Sequence, residues 1–304
     1  MLATRIQIGL IAGLLIALGL GLTLYKAFSL GFPLVPGEYR EVWTIESKVG
    51  FSPGDGPTEV ALSLPAGSAG WLIIEEHFAS SGFGFSVREE ETVRRARWTR
   101  QSLDRPTTLY YKMQAYRPWD GQLDEIPVTE SRRPMLEADQ QVAMERLVAE
   151  LRERSTNSGS FVELLVREFN RETPGQDTGF LLSTYEESAF DVMLAVLAWA
   201  GIPAQPLRGI ALEDGRRRQT LSNLLEFHDG QRWRVLDPLS AEPGIPDDFF
   251  IWQRGDAAVL DVVGGRDSSL EFALVSNSLP ARTVLAMEQR AQQYALLNFS
   301  IYSL

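Results

Sequence analysis

Cysteine is missing from all 304 residues. That excludes disulfides, thiolate metal sites and every mechanism that runs through a cysteine nucleophile. Histidine is nearly as scarce: only His77 and His228 are present. They stand far apart in strand-like sequence with no metal-ligand spacing, so no metal site or cofactor is expected and each reads as a partly exposed strand residue. Positive charge is also in deficit. The net charge is -11 and the sequence pI about 4.9. Such a surface repels phosphate backbones, so no nucleic-acid partner is expected. No internal repeat is found.

What is present begins with an apolar run. From Ile6 to Leu24 the chain is almost uninterrupted Leu, Ile, Ala and Gly. These ~19 residues are enough to cross a ~30 Å hydrocarbon core as a helix. Leu24-Tyr25-Lys26-Ala27-Phe28 follows, without the small-x-small pattern of a signal-peptidase site. The expectation is an uncleaved transmembrane anchor over residues 1–30, with the bulk of the chain on the far side. Gly9, Gly13, Ala17 and Gly21 recur every four residues, a stripe that would let another helix approach. Chance glycines in a leucine-rich helix are an equal reading of that stripe.

About 270 residues remain, room for one large domain or two modest ones. With 44% hydrophobic and 23% charged residues, the composition is that of a globular rather than a disordered chain. Phe32-Pro33-Leu34-Val35-Pro36-Gly37 reads as an extended connector. Over residues 31–120 the pattern is all β. Glu41–Ile45 and Thr58–Leu64 alternate polar with apolar, and further strands are expected at Trp71–His77, Phe83–Glu89, Arg94–Arg100 and Thr108–Tyr116. Short strands at this spacing predict a β-sandwich-like domain. Trp43, Trp71, Trp98, Tyr110 and Tyr111 read as core and edge packing rather than a sugar-binding face.

After Pro118 the period changes to that of helices. Met144, Leu147, Val148 and Leu151 mark one helix face. A second helix is expected to open on Ser160 with Glu163 as its capping box. A third runs from about Tyr185 to Ala200, capped by Ser183 or Thr184 with Glu186 or Glu187 three residues on. Strands follow at Ala204–Leu212, Leu221–His228 and Arg232–Leu236. Arg216-Arg217-Arg218 reads as a solvated hairpin turn rather than a docking site. The segment 283–304 reads as a helix leading toward a membrane region.

Phe190-Asp191-Val192 through Trp199-Ala200-Gly201-Ile202-Pro203-Ala204, followed by Trp233-Arg234-Val235-Leu236-Asp237-Pro238, resembles the core of transglutaminase-like enzymes. The resemblance implies a papain-like α+β core over residues 121–282. It also implies where a Cys-His-Asp triad would stand. The cysteine position falls at Glu186, the histidine position near Leu221 beside Thr220, and the aspartate position at Asp237. Two of the three are lost, so the resemblance implies a pseudoenzyme. A carboxylate at a helix amino end is instead a good cap.

One anchor, one β domain and a nucleophile-free core resemble the bacterial family of inactive transglutaminase domains fused to seven transmembrane helices. Members carry the bundle after the soluble domain; this sequence reaches Ile301-Tyr302-Ser303-Leu304 without one. The resemblance implies a bacterial inner-membrane protein with its bulk in the periplasm. It also implies a link to peptide metabolism, through associated ATP-grasp ligases and retropepsin-like proteases. Three roles follow as expectations. The first is a peptide- or partner-binding sensor whose cleft is lined by Tyr185, Glu186, Glu187, Thr220, Asp237 and Trp252. The second is a structural domain of a membrane complex. The third is a hydrolase using Glu186 or Glu187 with Asp237 as a carboxylate pair.

Overall fold

The structure is a computed structural model that describes residues 2–29, 38–79, 81–90, 93–118, 121, 123–128, 132–185 and 187–301. The chain divides into two compact units, Met1–Glu41 with Ser278–Leu304, and Val42–Asn277.

The first unit holds helix α1 (Leu2–Ser29) and the C-terminal helix. No proline interrupts the α1 run, and Thr23 returns its hydroxyl to the Gly19 carbonyl at 2.8 Å, as helical threonines with no polar neighbour do. Its leucines point outward, Leu14 at 71% exposure and Leu18 at 62%. The span expected over Ile6–Leu24 lies inside this helix. Among the described residues, however, no helix is long and apolar enough to cross a membrane. The side chains described in α1 are those of residues 12–26, a rise of about 22 Å at 1.5 Å per residue. Gly13 and Gly21 have open space around them; the side of the stripe at Gly9 lies outside the described residues.

In the second unit, β1 (Tyr39–Pro53), β2 (Thr58–Leu64), β3 (Leu72–Ala79), β4 (Gly84–Glu90), β5 (Val93–Arg100) and β6 (Thr107–Tyr116) supply most of two sheets. Four helices follow: α2 (Ala138–Arg154), α3 (Ser158–Phe169), α4 (Gln176–Thr184) and α5 (Ala189–Trp199). After them come β7 (Ala204–Ala211), β8 (Ser222–His228), β9 (Trp233–Leu236), β10 (Phe249–Arg254), β11 (Leu260–Val263) and β12 (Gly265–Pro280); the C-terminal helix of the first unit is α6 (Ala281–Ile301). The sheet orders are β12-β1-β6-β3, β11-β2-β5-β4 and β10-β7-β8-β9. The architecture is α+β with antiparallel pairing in each sheet.

Burial alternates along β1 and β6 as expected, β2 is buried almost throughout, and the inward residues of the first two sheets form one core. Ile45 and Val49 of β1, Val60 and Leu62 of β2, Trp98 of β5, and Leu109, Tyr111 and Met113 of β6 are all buried in it. Each large apolar side chain so buried contributes roughly 1.5–3 kcal/mol. Trp43, Trp71, Trp98 and Tyr111 belong to this core, while Tyr110 is exposed. Residues of β11 and β12, within the segment 121–282, pair with the sandwich instead: Leu260 lies opposite Leu62, and β12 flanks β1.

The third sheet joins the two halves. Ile210, Phe250 and Trp252 enter the sandwich core, while Leu225, Phe227 and Leu236 pack with Val192, Met193 and Val196 of α5. Gly209 is needed at the crossing of β7 and β10, where a Cβ would sit 2.4 Å from the Phe250 carbonyl oxygen. The Gly201-Ile202-Pro203 turn is a Schellman ending of α5. Gly201 adopts φ 69°, its N–H donates to the Ala198 carbonyl and that of Ile202 to the Leu197 carbonyl.

Two helix starts differ from expectation. α3 opens one turn earlier, with Asn157 as cap and Ser160 as its reciprocal partner, because the Asn157 side chain accepts the Ser160 N–H at 2.9 Å. The helix expected from Tyr185 to Ala200 is two elements: Tyr185 caps the carboxyl end of α4, and α5 starts only at Ala189.

Candidate functional site

The helix whose amino end the resemblance assigns to a nucleophile is α5, which begins at Ala189. Ser183 and Thr184 do not cap it. Both hydroxyls donate back to the Phe180 carbonyl at 2.8 Å and finish α4. The cap is Ser188. Its Oγ donates to Asp191 Oδ2 at 2.5 Å and accepts the Asp191 N–H at 3.3 Å, while its own N–H donates to Asp191 Oδ2 at 3.2 Å. This capping box uses up donors that an anion would otherwise meet, and places a carboxylate on the positive end of the helix dipole.

Tyr185 and Glu187 stand beside it. The Tyr185 phenol is pushed above its ordinary pKa, first by burial, then by the charges of Glu187 and Asp191. The group is therefore a protonated phenol among carboxylates. A thiol placed there would be held protonated by the same charges, the reverse of what a nucleophile requires. Glu186 lies outside the described residues. Asp191 was not among the expected cleft residues; the signal for it was the Ser188-x-x-Asp191 spacing.

The other expected positions are dispersed in role. Thr220 is exposed, and Leu221 packs half-buried against the sandwich core. Asp237 is half-buried, and its Oδ1 accepts the N–H groups of Leu239 at 2.7 Å and Ser240 at 3.3 Å. It shapes the turn after β9, which Asn170 fastens to α3 by donating to the Pro238 carbonyl at 2.7 Å. Trp252 is a correction. It is 2% exposed inside the sandwich core and its indole N–H donates to the Ser63 carbonyl at 2.9 Å, so it lines no cleft. The reason is the strand it sits on: β10 is the edge of the third sheet that closes the sandwich.

His77 and His228 sit on strands. His77 is exposed beside Glu75, and His228 Nδ1 accepts the Gly230 N–H at 3.2 Å. Among the described residues no His, Cys, Asp and Glu cluster could hold a metal ion. An open groove of about 590 Å³ lies at the ends of β2 and β5, lined by Thr58, Glu59, Thr99, Arg100 and Gln101. It is remote from α5 in the fold, since both strands belong to the sheet that α5 does not cover.

Sequence reasoning missed one polar group altogether. Glu226 is 0% exposed, in the middle of β8. Arg254 grips it through Nη2 at 2.5 Å and Nε at 3.1 Å, and Gln205 Nε2 adds a third bond at 2.7 Å. The only sequence signal was a glutamate interrupting Leu224-Leu225-x-Phe227.

The profile of a family described as "Inactive transglutaminase fused to 7 transmembrane helices" matches residues 25–185. No curated protein matches the sequence. Among solved structures, a candidate cysteine protease from Cytophaga hutchinsonii is similar at 14% identity, over 80% of this chain and 91% of that one, with a TM-score of 0.51. A candidate protease from Parabacteroides distasonis matches at 13% identity over 64% of this chain and 47% of that one, with a TM-score of 0.20. The first likeness shows a shared fold.

Proposed function

Because this chain belongs to the family of inactive transglutaminases fused to seven transmembrane helices, we propose that it is a non-catalytic, membrane-attached module that binds a peptide or protein partner at the amino end of α5. The bound state would bias the membrane part. The observation that carries this reading is the Ser188–Asp191 capping box beside Tyr185 and Glu187. It replaces a reactive helix end by a stable one and leaves polar groups that can meet peptide amides. The outward leucines of α1 support attachment to a membrane, with the bulk of the chain on the periplasmic side of a bacterial inner membrane.

A second reading, a structural domain of a membrane complex, is favoured by the open stripe at Gly13, Ala17 and Gly21 on α1. The carboxylate-pair hydrolase has less support. Asp191, rather than Asp237, is the aspartate that acts with Glu187 on Tyr185.

The test uses the full chain in nanodiscs, titrated with fluorescein-labelled cell-wall stem peptides. Binding that weakens about tenfold in Tyr185→Ala and Glu187→Lys, and survives Trp252→Phe, supports the sensor. No binding, or binding indifferent to those two changes, removes it. Carbonate extraction tests attachment: the full chain should stay in the membrane pellet, and a chain without residues 2–29 should not. Recovery of the full chain in the soluble fraction would overturn the anchor.

A further inference from the structure

The third sheet has another face, turned away from α5. Successive strand residues point to opposite sides. Leu225 and Leu236, opposite one another, face α5. Leu224, Glu226 and Val235 therefore face the other way, and Leu207, Phe249 and Ile251 join Leu224 there. Leu123, from the segment that links the sandwich to the helices, packs on this cluster.

The same segment is held by its main chain. Arg254 Nη1 donates to the Asp124 carbonyl at 2.6 Å, and Trp233 Nε1 donates to the Ile126 carbonyl at 3.0 Å. Carbonyls two residues apart are those an extended chain turns to one side. Both donors are set in advance. Arg254 has its other nitrogens on the buried Glu226 carboxylate, which Gln205 also holds. Trp233 stands edge-on to His228, with ring centroids 5.5 Å apart. Both bonds are made to main-chain carbonyls, so what they read is backbone. Meanwhile Asp124, Glu125, Pro127 and Val128 are exposed. Among the described residues the segment is held by these two hydrogen bonds and the packing of Leu123, a light attachment. Segments held so lightly open locally while the rest stays folded.

We propose that this face is a groove for an extended peptide, and that residues 123–126 occupy it as an intramolecular strap. A partner's extended segment displaces the strap by offering an apolar side chain followed by two same-side carbonyls. The groove is separate from the site at the amino end of α5, and the variants that test one do not touch the other.

The probe is a fluorescein-labelled peptide with the sequence of residues 121–128, titrated by anisotropy against the full chain in nanodiscs. Leu123→Ser, which loosens the strap, should bind it about tenfold more tightly than wild type. Adding Trp233→Phe or Arg254→Lys to that variant should reverse the gain. Limited proteolysis gives a second measure on the wild-type chain: saturating peptide should speed cleavage within residues 123–126. Peptide affinity that is the same in wild type and a folded Leu123→Ser, or a gain that survives both added changes, overturns the proposal. So does strap cleavage that saturating peptide leaves unaltered, whether or not Leu123→Ser folds.

Discussion

Ser188 Oγ lies 2.5 Å from Asp191 Oδ2, and the Asp191 N–H returns to the same hydroxyl at 3.3 Å. The pair closes the helix end at which the transglutaminase resemblance implies a nucleophile. Ser188→Ala removes the hydroxyl and should cost about 1 kcal/mol, within the 0.5–2 kcal/mol range of such caps. Ser188→Thr should retain most of it. Urea unfolding of the full chain in detergent, followed by tryptophan fluorescence, checks this. Equal midpoints for wild type and Ser188→Ala would show that the cap holds nothing.

Tyr185 should titrate above the ordinary tyrosine value of 10.0, since burial and the charges of Glu187 and Asp191 all disfavour the phenolate. A folded-state pKa above the unfolded one favours the protonated form. The linked stability is fully present below about pH 10 and is lost as pH rises through the folded-state value. Absorbance titration near 295 nm, as wild type minus Tyr185→Phe, isolates this phenol. Glu187→Gln and Asp191→Asn should each move its midpoint down, and neither should return it fully, because burial is the larger cause. A midpoint at or below the ordinary value would separate Tyr185 from the two acids.

The sandwich was legible because most of its runs alternate polar with apolar residues and are punctuated by turn residues; Thr58–Leu64 was expected and is β2, although it is buried almost throughout and β1 runs to 15 residues. The helix-to-strand turn was legible through Gly201-Ile202-Pro203, because the glycine takes the positive φ that closes the helix and the proline cannot continue it. What escaped depended either on a choice between equivalent local caps or on distant partners. The break between α4 and α5 rests on a choice among Ser183, Thr184 and Ser188 as cap, three residues with the same local credentials; the bonds of Ser183 and Thr184 to Phe180 decide it. The burial of Trp252 follows from β10 lying between sandwich and core. β11 and β12 pair with strands some 200 residues earlier, a relation no local periodicity carries.

Glu226 and Arg254 form a pair that should be costly to halve. Glu226 is fully buried, and its side chain accepts from both Arg254 and Gln205. Glu226→Ala should destabilise the chain by roughly 3–5 kcal/mol, because it strands the guanidinium against an apolar face. The paired change Glu226→Met with Arg254→Met should recover much of that loss, since packed apolar groups of similar volume replace such pairs with little penalty. Chemical unfolding of the two singles and the double gives the coupling. A double variant no more stable than the sum of the singles would show that the two act independently.

Trp252 joins the sandwich to the third sheet. Its indole N–H donates to Ser63 O of β2 at 2.9 Å, and its ring meets Phe272 of β12 at 4.9 Å and Tyr111 of β6 at 6.0 Å. Trp252→Phe leaves the Ser63 carbonyl without this donor and a void where the indole's outer ring was. The desolvated carbonyl alone should cost about 1–3 kcal/mol, and the void adds to it by roughly 24 cal/mol per Å³. Because the ring sits in the core and not at the amino end of α5, peptide affinity there should stay within about twofold of wild type, under the ~0.5 kcal/mol expected between uncoupled sites. A variant that is stable yet loses peptide binding would put Trp252 back among the residues of the cleft, and the two measurements on one purified variant decide between these roles.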